Sequence, residues 1–165
     1  MIRKIVSGGQ TGVDRAALLV ALQRGIPAGG WCPLGRRVED GRIPDEYFLK
    51  ETDSKNYSQR TERNVEDSDG SLILTGGPLT GGTALTRSLA RRNGSPVLVV
   101  DLRKEADFGA VEQWLAANRI RILNVAGPRE SQQPGIHDQA CEWLSRLLDR
   151  AQKQPAEKWH GHLAH

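Results

Sequence analysis

The sequence has few of the features that mark secreted, membrane-bound or metal-binding proteins. Its two cysteines, Cys32 and Cys141, lie far apart and lack metal-ligand spacing, and in a reducing compartment such residues are most simply free thiols. No window approaches the roughly 20 apolar residues of a membrane span, and residues 1–6 lack the long apolar run of a secretory signal. We therefore expect a cytoplasmic protein with no membrane partner and no protein-bound metal.

A strong excess of one charge is also missing. The 23 Lys and Arg residues exceed the 20 Asp and Glu residues only slightly, and the net charge of +3 is spread along the chain. This balance does not favour nucleic acid as a partner. With 165 residues, 38% of them hydrophobic, the chain is long enough for one globular core. We predict a single ligand-binding domain at 1–152 and a flexible C-terminal tail at 153–165.

What the sequence does contain is a regular alternation of strand-like and helix-like segments. The predicted strands are 2–7, 71–75, 97–101 and 120–125, and the predicted helices are 13–24, 58–67, 83–92, 108–118 and 136–152. Gly25 is a predicted C-cap for the first helix. The segment 26–50 is rich in Gly and Pro and should be mostly irregular, with one short strand and one helical turn. The alternation predicts an α/β fold in which helices cover both faces of a mostly parallel sheet.

Three loops after predicted strands are candidates for ligand binding, because ligands of such folds lie at the carboxyl ends of the strands. Glycines let a backbone approach a ligand closely, and the free amides of a helix N-terminus favour an anion such as phosphate. We expect the first two loops to follow neighbouring strands. The candidate phosphate-binding residues are Gly8, Gly9, Gln10, Thr11, Gly12, Asp14 and Arg15 in the first loop, Gly76, Gly77, Thr80, Gly81, Gly82 and Thr83 in the second, and Arg129 in the third.

The same loops lack residues that two common nucleotide sites require. The second loop nearly matches a P-loop, but Gly82 stands where the phosphate-binding lysine belongs, which argues against NTP hydrolysis. The first loop has GGxxG where a dinucleotide site has GxGxxG, and no acidic residue ends a second strand about 20 residues later. Each loop taken alone is equally compatible with a tight turn in which glycine serves only the geometry.

Several motifs in the same order resemble those of the molybdenum carrier proteins. They are Ser7-Gly8-Gly9-Gln10-Thr11-Gly12-Val13-Asp14, Gly29-Gly30-Trp31-Cys32-Pro33, Glu39-Asp40-Gly41-Arg42-Ile43-Pro44, Arg60-Thr61-Glu62-Arg63-Asn64-Val65 and Asn124-Val125-Ala126-Gly127-Pro128-Arg129. This family is described as a circularly permuted branch of a Rossmann-like superfamily of nucleotide-ligand binders. The superfamily includes lysine-decarboxylase-like, cytokinin-activating enzymes. The resemblance covers about residues 2–150.

The resemblance implies a Rossmann-like three-layer αβα sandwich that often forms homo-oligomers. It also implies binding of molybdenum cofactor (molybdopterin) or a related phosphorylated nucleotide, with molybdenum enzymes as recipients of the cargo. It adds Arg60, Thr61 and Asn64 to the candidate ligand contacts. The indole of Trp31, next to two glycines, is a further candidate because it could stack on a pterin or purine ring; the alternative is that it closes an edge of the core.

One departure from the related hydrolases bears on catalysis. Their second loop reads PGGxGTxxE, and the glutamate helps to cleave an N-glycosidic bond. Aligned on Gly82 and Thr83, this chain has Thr86 in its place, and a hydroxyl cannot serve as a carboxylate base at neutral pH. We therefore favour a carrier over the alternative, a phosphoribohydrolase-like, nucleotide-processing hydrolase. That alternative would need Asp14, Glu39 or Asp40 to point into the cleft.

Overall fold

The computed structural model describes residues 1–153 and shows a five-stranded, fully parallel sheet with helices on both faces. The strands are β1 (Lys4–Val6), β2 (Ala28–Gly29), β7 (Gly70–Thr75), β8 (Val97–Asp101) and β9 (Ile122–Ala126), in the order β2-β1-β9-β7-β8. The predicted α/β, Rossmann-like three-layer sandwich is confirmed. The predicted tail spans residues 153–165, and residues 154–165 lie outside the described residues.

Within residues 1–153, five helices surround the sheet, and four further short strands lie beside it. The helices are α1 (Val13–Gln23), α2 (Tyr57–Glu66), α3 (Gly81–Arg92), α4 (Phe108–Ala117) and α5 (Ile136–Lys153). The short strands form a parallel pair, β3 (Trp31–Cys32) with β6 (Lys50–Glu51), and an antiparallel pair, β4 (Arg37–Val38) with β5 (Gly41–Arg42). Among residues 1–153 no helix combines the length and the hydropathy needed to cross a membrane.

The two faces of the sheet pack against different helices. Leu72 and Leu74 of β7 and Leu123 of β9 belong to the larger core, which α1, α4 and α5 complete. On the opposite face α2 and α3 pack together through a smaller cluster that contains Val65 and Leu89. Because side chains alternate along a strand, β7 can serve both layers, and all six of its residues are buried.

The C-terminus of α1 is closed by Gly25, as the sequence predicted. Gly25 has a φ of +66°, the amide of Ile26 donates to the carbonyl of Ala21, and the amide of Gly25 donates to Leu22. These two bonds define a Schellman motif, which a glycine closes without a Cβ penalty. The motif turns the chain directly into β2, so that the prediction for Gly25 is confirmed.

Two regions differ from the sequence-based expectation. The last strand of the sheet begins at Ile122 and not at Ile120, because the amide of Ile120 donates to Leu115 and closes α4. The segment 26–50 contains short strands and no helix. It is organised by Arg36, a buried residue with a φ of +58°, whose guanidinium donates to the carbonyls of Pro44 and Tyr47 at 2.9 and 2.8 Å.

Candidate functional site at the carboxyl edge of the sheet

A small pocket of about 110 Å³ lies where the three glycine-containing loops meet. It is lined by Gln10, Asp14, Arg60, Thr61, Gly81, Gly82, Thr83, Thr86, Ala126, Gly127, Arg129 and Gln132. The first and second loops do not follow neighbouring strands, as we had expected, because β9 lies between β1 and β7. They still approach each other, since the carboxyl ends of parallel strands lie at one edge and the loop after β9 forms the floor between them.

The N-terminus of α3 presents open amides to this pocket. Thr80 is the N-cap but makes no side-chain capping bond, and no carbonyl of the described residues accepts from the amides of Gly81 or Gly82. A Cβ built on Gly81 or Gly82 would meet nothing within 4 Å. Free amides together with the positive end of the helix dipole make this terminus suited to an anion.

Two buried donors on residues that line the pocket have no partner among residues 1–153. Gln10 is 4% exposed, and its Oε1 accepts from the amides of Thr11 and Glu39 at 3.1 and 3.0 Å. Because both neighbours are donors, the oxygen must face them, and Nε2 is left unpaired. The Nε of Arg60 is buried and unpaired in the same way. Buried donors without partners are costly, and a site that keeps two of them is suited to a ligand that accepts hydrogen bonds.

Among the described residues, Asp14 supplies the one carboxylate that lines this pocket. Its Oδ2 accepts from Nη1 of Arg60 at 2.9 Å, and the exposed fractions of the Asp14 and Arg60 side chains are 6% and 13%. Burial raises the pKa of Asp14 above its ordinary value, and the Arg60 guanidinium opposes that shift. The ion pair therefore fixes Arg60 against the pocket wall, while burial disfavours the charged form of Asp14.

The glycines of the first loop approach protein atoms and do not border the pocket. A Cβ on Gly8 would lie 1.6 Å from Nη1 of Arg60, and a Cβ on Gly9 would lie 2.6 Å from the side chain of Ile43. Gly12 has a φ of +80°, and its Cβ would lie 2.3 Å from the carbonyl of Pro128. These close approaches fit the geometric alternative that the sequence left open for this loop, and phosphate binding by these three glycines stays a prediction.

In the first half of the second loop, side chains of the protein already accept hydrogen bonds from the backbone amides. The amide of Gly76 donates to Oε1 of Gln133 at 2.8 Å, and the amide of Gly77 donates to Oγ1 of Thr75. Of the six candidates in this loop, Gly81, Gly82 and Thr83 line the pocket, whereas Gly76, Gly77 and Thr80 do not. The open part of the loop is thus the beginning of α3.

The predicted arginines have different environments. Arg15 donates to the carbonyl of Gly9, pairs with Asp40 at 3.2 Å, and does not line the pocket. Arg129 lines the pocket and lies 3.9 Å from Glu39. Its guanidinium carbon is 5.7 Å from the centre of the Tyr57 ring, and that of Arg60 is 5.5 Å from the same ring. The two pocket arginines therefore share one aromatic side chain as a cation–π partner.

Glu39 links the first and third loops and is not directed into the pocket. It accepts hydrogen bonds from the hydroxyl of Thr11 and from the amide and hydroxyl of Ser131. Although desolvation opposes the shift, the bonds from Ser131 and Thr11 hold the pKa of Glu39 below its ordinary value. Thr11 in turn accepts from the amide of Glu130 at 3.2 Å. Thr11 and Glu39 thus act as braces between loops.

Trp31 and Asn64 bind each other outside the pocket. The amide of Trp31 donates to Oδ1 of Asn64 at 2.7 Å, and Nδ2 of Asn64 donates back to the Trp31 carbonyl at 3.1 Å. The indole N–H donates to Asp67, while cationic groups of Lys50 and Arg63 lie 5.5 and 5.1 Å from the ring centre. These contacts attach β3 to α2, and a ligand contact for either residue stays a prediction.

Thr61, which the family resemblance singled out, lines the pocket, and four further lining residues were not among the sequence-based candidates: Thr86, Ala126, Gly127 and Gln132. The two threonines belong to α2 and α3, and the hydroxyl of Thr86 donates to the carbonyl of Gly82 at 2.9 Å. The position of the third loop after a predicted strand was a sufficient signal for Ala126 and Gly127. Gln132 lies in the turn at 129–133, which no local sequence pattern predicts.

Metal-ligating side chains do not gather at this edge or elsewhere in the part of the chain that the structure describes. Within residues 1–153 no group of three or more His, Cys, Asp or Glu side chains could hold a metal ion. The two cysteines are both free, Cys32 in the core beside Ile43 and Cys141 on α5.

Comparison with known proteins supports this description of the fold. A crystal structure named "Putative molybdenum carrier protein", from Syntrophus aciditrophicus SB, is 45% identical in sequence and superposes with a TM-score of 0.86. The match covers 89% of this chain and 95% of that one. No match was found among curated proteins. The model of the circularly permutated YpsA SLOG family matches residues 5–148, and the chain therefore belongs to that family.

Proposed function

We propose that this protein is a molybdenum cofactor binding or carrier protein that holds the phosphate of a pterin- or nucleotide-like ligand in the pocket at the start of α3. The observation that carries the proposal is that Gln10 and Arg60, whose Nε2 and Nε are buried and unpartnered, line the same pocket as Gly81 and Gly82, whose amides are open. Four donors of this kind around one small space match the oxygens of a phosphate group. The name of the structural neighbour supports a molybdenum-related ligand.

The dimensions of the pocket support binding through one end of the ligand. Its volume of about 110 Å³ is well below the roughly 300–1,000 Å³ of sites that enclose a whole ligand. A phosphate fits the donor set, and the rest of a molybdopterin or nucleotide would extend outward past Arg129. When bound, the cofactor would supply its own molybdenum ligands, while the protein would supply the phosphate grip.

The alternative function is a phosphoribohydrolase-like hydrolase. One observation favours it: Asp14 lines the pocket, is buried, and has a raised pKa, which are properties of general acid–base groups. Against it, Thr86 occupies the place of the hydrolase glutamate, and Asp14 is already paired with Arg60. Glu39 and Asp40 are engaged with Ser131 and Arg15. The carrier function is therefore the better supported of the two.

A thermal-shift panel with parallel detection of product distinguishes these functions. The probes are AMP, cyclic nucleotides, GTP, molybdate, inorganic phosphate and isolated molybdenum cofactor. A ligand present at 100 times its Kd adds about 2.7 kcal/mol to the unfolding free energy, which raises the Tm of a domain of this size by about 5–10 °C. We expect such a shift with phosphate-bearing probes and no released base. Release of a base or sugar would instead establish the hydrolase.

Replacing Gln10 with glutamate should weaken binding of the same probes by about 100-fold. The introduced side chain would keep an oxygen facing the amides of Thr11 and Glu39, but it would place a second carboxylate oxygen where Nε2 stands. A donor worth about 1.5–3 kcal/mol to an anion would thus become a repulsive charge. Isothermal titration of wild type and Gln10→Glu measures the difference, and unchanged affinity would contradict a role for Nε2.

Three further properties stay predictions for this chain. We propose that it assembles as a homo-oligomer, that it acts in the cytoplasm, and that molybdenum enzymes receive its cargo. The family resemblance supports the first and third, and the composition supports the second. Size-exclusion chromatography with light scattering tests the assembly state directly.

A further inference from the structure

Asp14 places a carboxylate in a pocket that is otherwise suited to an anion. Among residues 1–153, the charged side chains that line this pocket are those of Asp14, Arg60 and Arg129. The volume of about 110 Å³ leaves no room for an anion to lie far from any of them. A fully deprotonated oxyanion would meet a like charge in a partly desolvated space, where repulsion between charges is strong. The carboxylate of Asp14 therefore restricts which anions the pocket can hold.

The carboxylate of Asp14 keeps unused capacity to accept a hydrogen bond. Its Oδ2 accepts from Nη1 of Arg60 at 2.9 Å, and the backbone amide of Gln10 also donates to the carboxylate. A carboxylate offers about four acceptor sites, so these two donors leave part of it open. Because Asp14 is buried and lines the pocket, an occupant of the pocket is the partner available to the open part.

The charged neighbours of Asp14 keep their own protons. Three arginines act on Asp14 or line its pocket: Arg60 of α2, Arg15 of its own helix, and Arg129 in the loop after β9. Guanidinium groups are not deprotonated in proteins. His137 of α5 bonds a backbone carbonyl and does not line the pocket. No further titratable side chain of residues 1–153 lines it, so the protons that can move there belong to Asp14 and to the ligand.

We propose that Asp14 makes this pocket selective for anions that bring a proton, namely hydrogen phosphate and the hydrogen-phosphate form of a monoester. The P–OH group would donate to the carboxylate of Asp14. The other oxygens would accept from Gln10 Nε2, Arg60 Nε and the open amides at the start of α3. Sulfate and molybdate carry no proton near neutral pH and would have to take one from water. This selectivity rests on the phosphate-binding function proposed above, because it concerns the same pocket.

The required proton gives different anions different responses to pH. In the complex the proton belongs to the pair of anion and Asp14 and not to either group alone. Above the folded-state pKa of Asp14, a proton-free anion takes up one proton on binding, so its Kd rises about 10-fold per pH unit. A phosphate monoester, with a second pKa of about 6, loses its proton near neutral pH and follows the same trend. Inorganic phosphate as HPO₄²⁻ already holds the proton, and its Kd should change less than about 2-fold between about pH 7.5 and 8.5.

Isothermal titration of the 165-residue chain with inorganic phosphate, sulfate and molybdate tests the selectivity. At about pH 8.5 we expect phosphate to bind at least about 10-fold more tightly than either of the other anions. Titration in two buffers of different ionisation enthalpy counts the protons, and we expect about one taken up with sulfate and none with phosphate. Sulfate that binds as tightly as phosphate at this pH, or that binds without proton uptake, would overturn the proposal.

Asp14→Asn tests whether this residue is the cause. An amide can donate to a proton-free anion, so the folded variant should bind sulfate at least about 10-fold more tightly than wild type at about pH 8.5. Asp101→Asn is the matched control, because Asp101 also pairs with an arginine but does not line the pocket, and this variant should keep the wild-type selectivity. Circular dichroism checks folding, and the proton count of wild type decides the matter if Asp14→Asn does not fold. A folded Asp14→Asn with wild-type selectivity would exclude this role.

The same measurements separate failure of this selectivity from failure of the phosphate-binding function. If no phosphate-bearing probe binds at any pH, the phosphate-binding function is wrong, and the selectivity is wrong with it. If phosphate binds and sulfate and molybdate bind equally well, the function stands and the role given to Asp14 is wrong.

Discussion

Replacement of Gly82 with leucine is expected to abolish binding of phosphate-bearing probes and to leave the fold nearly unchanged. A Cβ at this position meets no atom within 4 Å, and Gly82 lies outside the positive-φ region, so that the native backbone accepts a side chain. The leucine would, however, occupy the space in front of the α3 amides, in a pocket of only about 110 Å³. We expect affinity to fall more than about 100-fold by isothermal titration, with a Tm within about 2 °C of wild type.

Gly109→Leu is the matched control for this variant. Gly109 is the second residue of α4, as Gly82 is of α3, and it is likewise exposed. Its Cβ would make only an ordinary contact of 3.6 Å with Asp107. Both substitutions therefore replace a glycine with a good helix former at the same helical position. If Gly109→Leu reduces binding as much as Gly82→Leu does, the pocket at α3 is not the site.

The fold could be predicted from the sequence wherever local patterns decide it. Alternation of apolar runs with helical periodicity identified the parallel sheet, and Gly25 identified a helix end. The segment 26–50 could not be predicted in the same way. Its conformation depends on Arg36, a charged side chain that donates to the carbonyls of Pro44 and Tyr47 from a left-handed backbone. No periodicity or composition indicates such an arrangement.

The sequence was sufficient to predict that these loops meet at one edge of the sheet, but not which of their atoms line the candidate pocket. Parallel strands bring their carboxyl ends to one edge, which is sufficient to group Gln10, Asp14 and Gly82. Which amides stay open depends on contacts over long sequence distances. Gln133, 57 residues away along the chain, takes the amide of Gly76, and Arg60 packs on Gly8. Glycine patterns indicate a close approach without showing whether a ligand or the protein itself makes it.

Replacement of Arg60 with methionine should destabilise the protein strongly at neutral pH. Methionine keeps an unbranched side chain, but Asp14 would then be a buried carboxylate without its 2.9 Å partner. Removing one member of a buried ion pair costs about 3–5 kcal/mol, because the remaining charge is uncompensated. Urea unfolding at pH 7 measures the loss. Asp14→Asn combined with Arg60→Met removes both charges and should recover most of it.

The pH dependence of that loss identifies its cause. Burial raises the folded-state pKa of Asp14 above the ordinary value of 3.8. The associated stability is fully present below about pH 3.8 and is lost as the pH rises through the folded-state pKa. Arg60 lowers that pKa, so its removal raises it further and extends the loss to higher pH. The loss of unfolding free energy in Arg60→Met, relative to wild type, should therefore be largest near pH 7 and should decrease as the pH is lowered toward pH 4.

The double variant separates this electrostatic effect from lost packing. Asp14→Asn with Arg60→Met has no buried carboxylate at this position, so its stability relative to wild type should lack the steep pH-dependent deficit of Arg60→Met. A deficit in Arg60→Met that stays constant from pH 4 to pH 7 would mean that the side chain acts through its contacts with Gly8 and Tyr57. The pocket wall would then depend on the shape of the Arg60 side chain and not on its charge.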